Sequence, residues 1–160
     1  MYFVVSFTNQ KKTKMQVKPI PEGYHTLTPY LVVDDVDILM DFLKNAFNAD
    51  ERFRMPGPDG KAMHAEMKIG NSHIMLGAAK EGHEANNSMI YMYVEDTDAT
   101  YKQAVAAGGE SLMEPADQFY GDRNAGIKGP MGNSWWIATH VEDVPDEEMA
   151  KRAQEYAQQN

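Results

Sequence analysis

The feature that most constrains this chain is an internal repeat. Val33-Asp34-Asp35-Val36-Asp37 returns as Val94-Glu95-Asp96-Thr97-Asp98, 61 positions on, and Gly70-Asn71-Ser72 returns as Gly132-Asn133-Ser134, 62 positions on. Two separate matches at nearly one offset, in a chain of 160 residues, mark two copies of one module.

In the first copy Leu27 to Val33 is an apolar, β-branched run, Asp35 follows as a helix N-cap, and Val36, Leu39, Met40, Leu43 and Phe47 recur at helical spacing. Three strand-like runs come next: Glu51 to Met55, Ala62 to Ile69 and Ser72 to Ala78, separated by turns at Pro56-Gly57-Pro58-Asp59-Gly60 and Gly70-Asn71. The module therefore reads βαβββ. In the second copy Met89 to Val94 is the first strand, and Asp96 caps a helix carrying Tyr101, Ala104 and Val105 that stops at Gly108-Gly109. Glu110 to Glu114, Arg123 to Lys128 and Ser134 to His140 supply the other strands. Pro145 to Gln159 is predicted to form a terminal helix, acidic at its start and basic later, as the macrodipole favours. The plan is an N-terminal extension (1–23), one domain of two modules (24–80 and 86–144) and a C-terminal helix (145–160), with Tyr2 to Phe7 a candidate added edge strand.

Strand periodicity assigns faces. Leu27, Leu31 and Val33 should face the first helix, leaving Thr28, Tyr30 and Val32 opposite; in the second copy Ile90, Met92 and Val94 face the helix while Met89, Tyr91 and Tyr93 do not. Of the two adjacent tryptophans, Trp135 should pack under the helix and Trp136 should join the tyrosines. A sheet face holding Tyr30, Tyr91, Tyr93 and Trp136 has the makings of a pocket wall, because phenol and indole want an apolar body and a polar partner.

Composition excludes several classes. With no cysteine, disulfides, thiolate nucleophiles, Cys-based zinc sites and iron–sulfur clusters are impossible. The net charge is −9, and because residues 1–20 hold four lysines and no acid, the remainder carries −13. Such a body repels phosphates and anionic lipids, so neither nucleic acid nor membrane is an expected partner. Without a secretory signal pattern, a cytoplasmic location is expected.

The paired modules beginning LTPYLVVDDV and YMYVEDTD, with the closing segment DQFYGDRNAGIKGPMGNSWWIATHVEDV, resemble the vicinal oxygen chelate superfamily, in its glyoxalase/bleomycin-resistance, PhnB-like branch. The resemblance implies an α+β fold in which the two βαβββ modules curl into a cupped, partly closed β-barrel with helices outside, usually as a homodimer. It implies a ligand or metal in the cup. The family's Asp-Pro-x-Gly hairpin is here Gly129-Pro130-Met131-Gly132. Metal enzymes of the superfamily place His or Glu at positions that align with Thr28, Ile74, Met89 and Trp136, none of them a usable ligand. Two-residue slips, giving Thr26 or Tyr30, Ser72 or Leu76, Asn87 or Tyr91, and Ser134 or Ala138, supply no strong ligand either. His73 should point to the helix side.

Other groups remain for chemistry. His64 and Glu66 share one face of a strand, a pairing suited to acid/base work or to clamping a ligand, with Lys68 continuing a row that is otherwise a plain solvated edge. Arg123 could anchor a carboxylate or phosphonate, or lock the turn together with Asp122. His140 shares the face of Trp136; His25 and His83 have no assigned role. The leading expectation is a homodimeric small-molecule-binding protein without the usual metal ligands, sequestering a toxic or aromatic compound. Its ligand-binding residues would be Tyr30, Tyr91, Tyr93, Trp136, Arg123, His64 and Glu66, with no cofactor. Two alternatives stand: a divalent-metal-dependent lyase, isomerase or dioxygenase of the glyoxalase type using His64, Glu66 and His140, and a metal-free acid/base enzyme using His64 and Glu66.

Overall fold

A computed structural model describes residues 17–159, the side chain of Gln159 excepted. The elements follow the repeat: β1 (Tyr30–Val33), α1 (Val36–Phe47), β2 (Asp50–Pro56), β3 (Ala62–Ile69) and β4 (Ser72–Ala78), then β5 (Met89–Tyr93), α2 (Thr97–Ala106), β6 (Glu110–Asp117), β7 (Asp122–Lys128) and β8 (Ser134–His140), closed by α3 (Asp146–Gln159). The candidate strand from Tyr2 to Phe7 lies outside the described residues.

Both repeat helices start in the same way. Asp35 and Asp96 adopt extended backbone angles, and their carboxylates accept from the amides of Ile38 (3.1 Å) and Ala99 (3.0 Å). This satisfies amides that the first turn leaves unpaired. α1 ends at Asn48 in the left-handed region (φ 52°), and α2 gives way to Gly108 (φ 101°).

Each module builds its own four-stranded sheet, in the orders β1-β4-β3-β2 and β5-β8-β7-β6, with the first and last strands of each module parallel and the other pairs antiparallel. The fold is α+β. No described strand of one sheet pairs with the other sheet, so the barrel expected from two modules is not closed within one chain. α1 and α2 pack on each other. One contiguous core joins Leu31, Leu39, Leu43 and Leu76 to Ala104, Ile127, Trp135 and Ile137. Trp135 is completely buried, its ring 5.1 Å from that of Phe47 at the end of α1. The helix-facing sides of both sheets thus share one interior, and their other faces point away from it.

The faces of β1 and β5 are those predicted: Leu31 and Val33 are buried, Ile90, Met92 and Val94 pack on the core, and Tyr30, Tyr91 and Tyr93 lie opposite and exposed. Leu27 departs from expectation, since it precedes β1 and is 86% exposed. The face of β4 is inverted. Tyr30 pairs with Met75 and Tyr91 with Trp136, so the counterpart of Trp136 is Met75, not Ile74. Ile74 and Leu76 are buried in the core, while His73, Met75 and Gly77 occupy the open side with their ladder partners Lys68, Glu66 and His64. The cause is one residue of offset: Met75 stands five positions after Gly70, but Trp136 stands four after Gly132. Matching the glycines shifts the strand by one, which exchanges its faces.

α3 is fastened to module two. Arg152 bridges Glu142 (2.8 Å) and Glu148 (2.9 Å), and Tyr156 packs on Phe119. The linker from β8 crosses Gly121, whose carbonyl accepts from the amides of Val141 (2.9 Å) and Glu142 (3.0 Å). Gly121 has φ 95°, and a Cβ there would sit 2.2 Å from the Glu142 carbonyl oxygen, so only glycine fits.

Candidate functional site

On the open face of module one, Tyr30 lies across β4 above Gly77, where a Cβ would come within 2.5 Å of the tyrosine hydroxyl. The bare glycine lets Tyr30 reach His64 Nδ1 at 3.3 Å. His64 Nε2 is 3.6 Å from Glu66 Oε1, and the other Glu66 oxygen accepts from the Tyr24 hydroxyl. The Tyr24 ring stacks on His73, centroids 4.2 Å apart. Burial, and then the bond to Glu66, push the Tyr24 hydroxyl up to about 12. The expected His64 and Glu66 pair is therefore present beside Tyr30. Tyr24 and His73 are additions. Tyr24 belongs to a loop without periodicity, and His73 was hidden by the one-residue offset.

Module two organises its open face around Asp122, which is 4% exposed. One carboxylate oxygen accepts from the hydroxyls of Tyr91 (3.1 Å) and Tyr93 (3.0 Å), and the other meets His140 Nδ1 at 2.9 Å. Asn124 donates to the Tyr91 hydroxyl (2.9 Å) and to that of Tyr120 (3.1 Å). His140 Nε2 contacts Asp143 at 3.0 Å. Burial works to raise the Asp122 carboxyl, but bonds from His140, Tyr93 and Tyr91 outweigh it and hold the group below its ordinary value. The same bond to Asp122, followed by that to Asp143, raises the His140 imidazole. Burial and Asp122 raise Tyr91, and the bond to Asp122 raises Tyr93. Trp136 lies over Gly126 on the same face, where a Cβ would come within 3.1 Å of the indole. Sequence spacing places Asp122 only at the turn and does not reveal the hub; the alternation from Trp136 through Ala138 to His140, and across the ladder to Asp122, is the signal that points to it.

The structure does not assemble all the expected contacts in one place. Tyr30, His64 and Glu66 stand on one sheet; Tyr91, Tyr93 and Trp136 stand on the other. Arg123 is set apart from both aromatic faces, since it is one residue from Asp122 and turns to the α2 side, where Asp98 holds it through Nη2 (2.9 Å) and Nε and Asp117 binds Nη1 (2.9 Å). A carboxylate anchor at Arg123 would have to displace two acids. His64, Glu66 and His140 are likewise split between sheets, and among the described residues no three His, Asp or Glu side chains converge as a metal requires. The positions that correspond to metal ligands, once the offset is corrected, are Thr28, Met75, Met89 and Trp136. A hydroxyl, two thioethers and an indole do not fit a divalent cation that prefers imidazole and carboxylate.

Comparison with known proteins places this arrangement. The family model of the Glyoxalase/Bleomycin resistance protein/Dioxygenase superfamily matches residues 24–137. The uncharacterized proteins Mb0911c of Mycobacterium bovis (strain ATCC BAA-935 / AF2122/97) and Rv0887c of Mycobacterium tuberculosis (strain ATCC 25618 / H37Rv) are each 34% identical over 134 residues, covering 77% of this chain and 88% and 79% of theirs. Among solved structures, TioX from Micromonospora sp. ML1 superposes with a TM-score of 0.63 at 22% identity over 72% of this chain and 98% of its own. Lactoylglutathione lyase from Agrobacterium tumefaciens gives 0.59 at 20% identity over 76% and 96%. At such identities the structural likeness speaks for the fold alone. The duplicated βαβββ modules and the match across most of the chain lead to one conclusion: this protein belongs to the glyoxalase/bleomycin resistance protein/dioxygenase superfamily.

Proposed function

We propose that this protein binds a small aromatic or partly polar molecule on its aromatic sheet faces without a resident metal, and sequesters it. The observation that carries this reading is the state of those faces. Tyr30, Tyr91 and Tyr93 are anchored through their hydroxyls to His64 or Asp122, yet their rings remain exposed. Tethering removes rotamer freedom in advance, so a flat guest stacking there pays less ordering entropy. His64 and Glu66 offer polar contacts at one end, and Trp136 extends the apolar surface at the other.

A homodimer completes the proposal. Both open faces carry exposed large apolar groups, including Phe53 and Met55 on one and Met89 on the other, and no described element of the same chain covers them. A second copy that sets its module two against module one of the first would close the cup that a single chain leaves open. The closing segment from Asp117 to Val144 also supports placement in the PhnB-like branch.

Native mass spectrometry of freshly purified protein tests this directly, since it reports subunit number, metal and retained small molecule together. A dimer free of metal that carries or accepts an aromatic guest is expected. Stoichiometric nickel, zinc, iron or manganese, abolished by His64→Ala, would overturn it. A second reading, a metal-free acid/base enzyme, is favoured by the 3.6 Å approach of His64 to Glu66. Turnover of a substrate that disappears in His64→Ala with affinity unchanged would establish that alternative.

A further inference from the structure

We propose that the groove between the two modules, along the free edge of β5, takes an organic cation with an apolar body. This inference rests on the binder reading and adds the charge class of the ligand. The groove has a volume of about 1240 Å³, enough for a drug-sized molecule. Phe47, Ile69, Ile74 and Ile90 contribute apolar surface to it, and Tyr91 and Tyr93 border it. β5 is the outermost strand of its sheet, so among the described residues this border has no neighbouring strand over it.

Charge decides which guest fits. Glu95 and Asp96 line the groove, and among the described residues no lysine or arginine does. Asp96 is engaged in capping α2, whereas Glu95 is exposed and makes no hydrogen bond or ion pair among the described residues. Three histidines also border the groove, His25, His73 and His140. The positive charge favoured on His140 is matched by Asp122 on one side and Asp143 on the other, so it does not reverse the local sign. Lys128 stands at the far end of module two, in the ladder row of Met89 and Ser134.

The tyrosines strengthen the preference. A phenol that donates its proton to a carboxylate becomes richer in electrons over the ring, and both Tyr91 and Tyr93 donate to Asp122. Their rings sit 5.4 Å apart at 61°, an angled pair that a cation can approach from one side. Such contacts contribute from a few-fold to tens of fold in affinity. The net charge of −9 adds long-range attraction that salt weakens.

Isothermal titration calorimetry on the full chain, with N-methylquinolinium and quinoline as flat probes of nearly equal shape, tests the inference at neutral pH, where only the first is charged. The cation is expected to bind about tenfold tighter at low salt, with the advantage shrinking as salt rises. Glu95→Gln and Tyr93→Leu should each weaken the cation about threefold or more, and Tyr93→Phe, which keeps the ring, should weaken it less. Quinoline binding as tightly as N-methylquinolinium would overturn the cation class while leaving the binder reading intact. If neither probe binds, both fall. Cation binding undiminished in Glu95→Gln and Tyr93→Leu would place the guest elsewhere and overturn the groove assignment.

Discussion

In module one the helix turns Val36, Leu39, Met40, Phe42, Leu43 and Phe47 inward; the residues 61 positions on in module two are Thr97, Thr100, Tyr101, Gln103, Ala104 and Gly108. The same fold is thus built from two very different helices. α1 supplies bulk to the shared interior, where Phe47 meets Trp135 of the other module. α2 trades bulk for hydrogen bonds: Thr97 donates to the Arg123 carbonyl (3.0 Å), and Gln103 donates to the Asn45 carbonyl (2.8 Å) at the end of α1. The sheets differ in a parallel way. Each module keeps an aspartate in its first helical turn, but Asp37 is held by Arg54 of β2 and Asp98 by Arg123 of β7. Each also gathers a carboxylate, a histidine and tyrosines on its open face, and from non-equivalent positions, because the counterparts of Glu66 and His64 are Gly126 and Asn124. The two modules share backbone geometry but draw their polar clusters from different positions.

The largest expected effect separates the helices. Leu43→Ala should cost about 2–5 kcal/mol in urea denaturation. Its counterpart Ala104→Gly should cost about 1 kcal/mol. Equal losses would break the claim that α1 carries the core. Next comes the hub of module two: Asp122→Asn, which weakens a buried acceptor of three partners, should cost about 1–3 kcal/mol. Glu66→Gln, in the half-open cluster of module one, should cost clearly less in the same assay. The caps then test what the modules share, since Asp35→Ala and Asp96→Ala should each lose about 1 kcal/mol.

The smallest effect is in pH. His140 is raised in the folded state, so the stability it contributes is fully present below its unfolded value of about 6.5 and fades as pH climbs through the higher folded value. Asp122 is depressed, so its contribution holds above its unfolded value of about 3.9 and is lost as pH falls through the lower folded one. A series of thermal melts should therefore show His140→Gln less stable than the parent in mildly acidic buffer and indistinguishable from it in alkaline buffer. A gap that widens with alkalinity would mean that the histidine works neutral.

Much of the fold was legible because its signals are local. The capping aspartates, the span of α1 and the limits of β3, β4 and β8 coincide with the sequence reading. Alternation placed Trp135 inside and Trp136 outside, and it set Tyr30, Tyr91 and Tyr93 on the open side. It failed for His73 and Ile74 because strand parity tolerates no single-residue error. The partners of Arg123 are not legible for a different reason: Asp98 and Asp117 come from a helix and a neighbouring strand, and no spacing within one segment reveals them. The same holds for Asp122, whose three partners come from β5 and β8. That the two sheets share an interior and no ladder is a tertiary outcome with no counterpart in either repeat read alone.

The crossing at Gly121 carries a practical consequence. Because the linker to α3 rests directly on this glycine, one residue before Asp122, anything that tugs on the C-terminal helix pulls on the backbone that seats the hub. Affinity handles and surface immobilisation at that end would load the very residues being assayed. The exposed Glu81, in the loop after β4 and outside the groove lining, is a quieter place for a spectroscopic label.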